Sequence, residues 1–88
     1  MEFEWDEAKD AENRRKHGLA LGDAAEMDWK QAKTSVDMRW DYGEVRIIAV
    51  GNLNGRLHVC IFVRRGDAKR IISLRKANTR EVRRHGQG

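Results

Sequence analysis

Asn54-Gly55 stands between two apolar runs, residues 45–50 and 57–63, and no other feature constrains the chain as tightly. Both residues tolerate the positive φ that a two-residue type I′ turn requires, so the flanking runs must be antiparallel strands of one hairpin. That turn sets Leu53 opposite Arg56, Val50 opposite Val59, Ile48 opposite Ile61 and Arg46 opposite Val63. The next connection, Arg65-Gly66-Asp67-Ala68, returns the chain and sets Phe62 opposite Ile71, Cys60 opposite Ser73 and His58 opposite Arg75. A slip of one residue in this second register would exchange every face.

With both registers in place, one face carries Ile48, Val50, Leu57, Val59, Ile61, Val63, Ile72 and Leu74. It is the expected core, covered by the helices that precede it. The other face carries Val45, Ile47, Ala49, His58, Cys60, Phe62, Ile71 and Ser73, with Arg64, Lys69 and Arg75 around it. An open face that is partly apolar and edged with cations is a binding surface.

Upstream, EFEW at 2–5 alternates charge and aromatic with the period of a short strand. Asp6 is placed to cap a helix over 7–17, and Gly18 to end it in the left-handed conformation. Trp5, Ala8, Ala11 and the stem of Arg15 are its expected inward side, with Glu12 and Lys16 as an ion pair. Leu19, Leu21, Ala24, Ala25 and Met27 mark a second short helix, although Ala20 and Gly22 are poor starters for one. Thr34 to Met38 is a candidate strand flanked by Trp29 and Trp40, and DYG at 41–43 reads as a turn. Trp29 and Trp40 suit core or interface better than base-stacking platforms. Asn78 with Glu81 forms a capping box, predicting a last helix over 79–85 docked by Val82, with residues 86–88 fraying.

Eighty-eight residues without proline, repeats or a low-complexity linker imply one domain, 1–88. Charge is divided unevenly. Residues 1–28 hold nine acids against four bases, and residues 29–88 five acids against fourteen bases. A basic second half favours a polyanion as partner, because neutralised phosphates release counterions. A solvated ionic surface that keeps a small protein soluble is the plainer alternative. The single Cys60 excludes a disulfide framework and suits a reducing cytoplasm. No stretch approaches the roughly 20 apolar residues of a membrane span.

His17, His58 and His85 are far apart in sequence, no HExxH or CxxC occurs, and Gly51, Gly55 and Gly66 belong to turns rather than to a phosphate-binding loop. A metal site and a cofactor are therefore not expected. RNA cleavage needs neither. A base takes the 2′-hydroxyl proton, cations stabilise the phosphoryl oxygens, and an acid protonates the leaving 5′-oxygen. His17, His58, Arg64, Arg75 and Lys76 are of the right types. Each has a structural alternative: His17 as a cation at a helix end, His58 as a sheet-face residue, Arg75 and Lys76 as a solvated strand end. Arg80, Arg83 and Arg84 are most simply a solvated helix face that adds attraction for phosphate.

FEWDEAK at 3–9, NRRKHG at 13–18, the Ala24-Ala25 helix, GEVR at 43–46 and RIISLRKA at 70–77, followed by an arginine-rich end, together resemble the BrnT family of ribonuclease toxins from bacterial type II toxin-antitoxin pairs. The likeness is collinear over nearly the whole chain. It implies an α+β, RelE-like fold: two N-terminal helices on one face of a mainly antiparallel sheet of about four strands, and a short C-terminal helix. It also implies metal-independent RNA cleavage, on or off the ribosome, that inhibits translation, and a BrnA-like ribbon-helix-helix antitoxin through which operator DNA is bound. The motifs carry over Lys16, His17, Glu44, Arg46, Arg70, Arg75 and Lys76, and the sheet register adds Arg64. The catalytic set is then His17, Lys16, Arg46, Arg64, Arg75 and Lys76; the RNA-binding set is His58, Lys69, Arg70, Arg80, Arg83 and Arg84. The chain departs from the family in having Asp28-Trp29 and no proline after the second helix, and Ala20 and Gly22 at its start. A binding module or a protein-interaction subunit without chemistry is the alternative for the same basic face.

Overall fold

The computed structural model describes residues 2–39 and 41–85; the expectations for Trp40 and for residues 86–88 lie outside them. In chain order the elements are β1 (Glu2–Trp5), α1 (Glu7–His17), a 3-10 helix (Leu21–Glu26), β2 (Lys33–Val36), β3 (Ile47–Leu53), β4 (Arg56–Arg65), β5 (Ala68–Lys76) and α2 (Thr79–His85). The strands form one five-stranded sheet, one more than the sequence suggests, in the order β1-β5-β4-β3-β2. β1 runs parallel to β5 and the other pairs are antiparallel.

The hairpin has the expected turn. Asn54 and Gly55 sit at φ 53° and 79°, and Leu53 faces Arg56, Val50 faces Val59 and Ile48 faces Ile61. Pairing begins at Ile47 rather than at Arg46. The second register departs from expectation within β5. Phe62 does face Ile71, but a bulge follows, so that Ile61 faces Ser73, Cys60 faces Leu74, Val59 faces Arg75 and His58 faces Lys76. Ile72 is the extra residue. It turns Leu74 to the side of Cys60 and Phe62 and sends Arg75 to the other side, as one inserted residue must in a structure of period two.

The main core therefore lies on the face opposite the expected one, although Val59, Val63 and Leu74 of the expected set are buried. Ala49, Leu53, Cys60, Phe62, Ile71 and Leu74 are buried with Leu21, Ala24 and Met27 of the overlying layer. Burial pushes the Cys60 thiol up to about 12, against a small opposing effect of Lys69. Ile48, Val50, Val59 and Ile61 belong to the face away from α1 and the 3-10 helix, where the short α2 lies beside them. Two-residue alternation in β3 and β4 separates the faces but does not say which one is covered, because both are apolar.

α1, unlike the 3-10 helix, meets the rest of the fold through polar side chains. Asp6 accepts from the Lys9 N–H at 3.0 Å and Gly18 ends α1 at φ 70°, as the sequence indicates. The inward residues of α1 are Asp10 and Asn13, however, while Ala8, Ala11 and Arg15 are exposed. β1 ends at Trp5 opposite Ile71, and farther along β5 the Asn13 amide takes the place of a neighbouring strand at Leu74. It donates to the Leu74 carbonyl at 2.8 Å and accepts from the Leu74 N–H at 3.1 Å, with a second donation to the Leu19 carbonyl at 2.9 Å. Asp10 accepts from the Leu21 N–H at 2.7 Å and from Arg14 at 3.0 Å, and these bonds hold its carboxyl below the usual range. Gly22 has a packing reason: a Cβ there would lie 2.9 Å from the Trp5 ring. Ala25 is exposed. Trp29 donates to the Ala24 carbonyl at 2.9 Å and packs between Phe3 and Phe62, which makes it a core residue.

Candidate functional site

On the sheet face away from the helical layer, α2 borders the concavity over the strands. Its capping box forms as expected, with the Asn78 N–H donating to Glu81 and the Glu81 N–H donating to Asn78, both at 2.8 Å. The same Glu81 carboxylate accepts from both terminal nitrogens of Arg75, each at 2.8 Å. These bonds hold the Glu81 carboxyl at about 2 and raise Arg75. The second contributing element is the turn after β2. Asp37 is buried, and it accepts from the Arg39 Nε and Nη2, each at 2.9 Å, and from the Tyr42 hydroxyl at 3.0 Å. Its carboxyl is held far below the usual range, first by the Arg39 side chain.

Two guanidinium groups, each fixed by a bidentate carboxylate, thus share one concavity. Its walls are Lys33, Thr34, Ser35, Arg39, Ile48, Val50, Val59, Ile61, Arg75, Glu81, Arg84 and His85. Four cations face one carboxylate in this lining, over a floor of aliphatic strand residues. Arg39 is close enough to Arg75 to oppose its charge. A guanidinium has five donors, so each keeps N–H groups for an anion once its carboxylate is satisfied. Fixed in this way, the groups lose little side-chain entropy on binding, and a planar bidentate donor is the group best matched to phosphate.

The residues expected at one patch are divided among several places. Arg75 and Arg84 line the open groove. Arg64 and Lys69 pair across β4 and β5 on the covered side; the Lys69 amine lies 4.8 Å from the Trp29 ring centre and 5.3 Å from that of Phe62, and desolvation lowers its pKa. His58 and Lys76 are also on the covered side, around a separate pocket with Leu19, Asp23 and Glu26. His58 is buried with Nδ1 2.8 Å from the Arg56 carbonyl. Lys16 and His17 line a third depression with Lys9, Glu12, Ile72 and Ser73. Arg70 pairs with Glu4 at 3.6 Å and Glu44 with Arg65 at 3.6 Å. Arg46 stacks on Tyr42 at 3.9 Å, its Nε buried without a hydrogen-bond partner. Arg80 and Arg83 are exposed. The bulge at Ile72 is the reason Arg75 is separated from Arg64, Lys69 and His58.

Sequence inspection passes over Asp37, Arg39 and His85 as site residues and treats Glu81 only as a cap. Asp37 and Arg39 were in the least legible stretch. Glu81 and His85 carried a signal, since a spacing of four puts them on one side of α2. Among the described residues, no group of three or more His, Cys, Asp or Glu is arranged to hold a metal ion, and no helix is long and apolar enough to cross a membrane.

Residues 5–81 match a family model described as "Ribonuclease toxin, BrnT, of type II toxin-antitoxin system". Among solved structures, the chain is similar to the Brucella abortus ribonuclease toxin BrnT. The two share 32% identity and a TM-score of 0.69, over 90% of this chain and 99% of the Brucella chain. A comparison with curated proteins finds no match.

Proposed function

Because the chain belongs to the BrnT family of ribonuclease toxins of type II toxin-antitoxin systems, we propose that it is an endoribonuclease whose open sheet face binds and cuts RNA. The observation that carries this is the pair of carboxylate-fixed guanidinium groups, Arg39 and Arg75, in one groove with Arg84 and His85. Arg75 and Arg39 hold the scissile phosphate and stabilise the charge that grows on its oxygens during in-line attack. Arg84 and Lys33 extend the cationic track along the strand. Lys16 and His17, in the depression beside Ser73, add attraction for the RNA backbone. Attack by the 2′-hydroxyl needs no metal, so cleavage persists in a chelator.

Cleavage of mRNA inhibits translation in the cytoplasm, and the single domain acts as a RelE-like toxin. A BrnA-like ribbon-helix-helix antitoxin neutralises it by covering the groove, and binds operator DNA on behalf of the complex.

The test is RNA cleavage by the purified protein with and without ribosomes, in EDTA. Cleavage is expected, with a loss of about 10²-fold or more on Arg75→Ala, the size seen when one transition-state donor is removed. Intact RNA in both conditions would refute the enzyme. Salt-dependent RNA binding without product would then favour a binding module.

A further inference from the structure

We propose that His85 is the proton-transfer group of this site, an assignment that rests on the ribonuclease reading above. It starts from how α2 meets the sheet. Of its seven residues, only Glu81 and His85 are even half-buried. Val82, its one aliphatic residue, is 42% exposed, contrary to its expected docking role. A helix held down for stability turns an apolar stripe to the sheet. This one turns a carboxylate and an imidazole, four residues apart and so on one side, toward Ile48, Val50 and Ile61. Glu81 is accounted for by Arg75 and Asn78. His85 is the remaining polar group on that side, and it lines the groove next to Arg75 and Arg84.

The other histidines do not meet the requirement. His17 belongs to the depression beside α1, and His58 is buried on the covered face. Only His85 shares a concavity with the fixed guanidinium groups. The charged groups around it are Glu81 and Arg84 on α2, Arg75 on β5, Lys33 on β2, Arg39 in the turn after β2, and Arg56 in the adjoining concavity over β4.

The step balances with RNA and water alone. The neutral imidazole accepts the 2′-hydroxyl proton as the O2′–P bond forms; the P–O5′ bond breaks, the departing 5′-oxygen takes a proton from water, and the hydroxide so formed takes the proton back from the imidazolium. The products are a 2′,3′-cyclic phosphate and a 5′-hydroxyl. Arg75 and its neighbours bind the non-bridging oxygens throughout. Imidazole is the side chain whose ordinary titration range makes it an effective base near neutral pH.

The experiment compares wild type with His85→Ala and His85→Gln on one labelled RNA, after circular dichroism has shown that both variants fold. Cleavage is expected to fall about 10²- to 10⁴-fold, with RNA binding retained. The acid limb of the pH-rate profile disappears in His85→Ala, and added imidazole restores part of the rate. Ends bearing 2′,3′-cyclic phosphate and 5′-hydroxyl support the step. Wild-type rate and pH profile in His85→Ala would overturn the assignment and leave the ribonuclease standing. So would a loss of activity that follows a loss of binding and that imidazole does not repair. An inactive wild type would remove both.

Discussion

At the scale of single residues, polar side chains perform tasks that an apolar pattern would assign to hydrophobes. Asn13 completes the backbone bonding of Leu74 from a helix. Asn13→Ala leaves a buried N–H and carbonyl without their partner, so a loss of about 2 to 3 kcal/mol is expected in chemical denaturation. Gly22→Ala pushes a methyl group into the Trp5 ring, and a loss of about 1 to 3 kcal/mol should appear in the same measurement. Arg75 behaves differently, because Glu81 binds it in two-pronged geometry. Arg75→Lys keeps the charge but not the fork, so cleavage should fall nearly as far as in Arg75→Ala while the protein's charge is unchanged.

At the scale of elements, α2 depends on its ion pair. The Glu81 carboxyl is depressed from an ordinary 4.5 to about 2 in the folded protein. A depressed acid contributes stability that is fully present above its unfolded value and is lost as pH falls through the folded one. Glu81→Gln should therefore destabilise the fold above about pH 5, by about 1 kcal/mol for so partly exposed a pair, which a lowered melting temperature would report. The difference from wild type should shrink between pH 4.5 and 2, and a difference that grows with acidity would contradict the pairing. β5 is the other decisive element. Its bulge at Ile72 sets both which residue enters the core, Leu74, and which reaches the groove, Arg75.

At the scale of the whole molecule, one face of the sheet is closed by the acidic first third of the chain, and the other lies open with its cations. The division of charge visible in the sequence is one between helical layer and sheet, since the sheet carries cations on both faces. RNA binding should weaken with salt, by about 0.7 in the log-log slope for each single-strand phosphate contact. Arg39→Ala and Arg84→Ala should each reduce that slope, whereas Arg64→Ala, on the covered side, should leave it nearly unchanged in a filter-binding titration. The family membership was legible because its motifs are collinear over most of the chain. Of the cations lining the candidate site, Arg75 and Arg84 were singled out by the sequence, while Lys33 and Arg39 were not.

What the sequence determined by itself is what short-range chemistry decides: the Asn54-Gly55 turn and its register, the Asp6 and Gly18 ends of α1, and the Asn78-Glu81 cap. Each is set by backbone conformation or hydrogen bonding within a few residues. The tertiary structure alone decided which of two apolar faces is covered, and that the arginines of β4 and β5 part company. Those outcomes depend on one unpaired residue in β5 and on where Asp10, Asn13 and Gly22 let the helical layer rest. A contact such as that of Asn13 with Leu74, 61 residues apart, leaves no periodic trace in the chain, because each partner taken alone is an ordinary residue on an ordinary helix or strand.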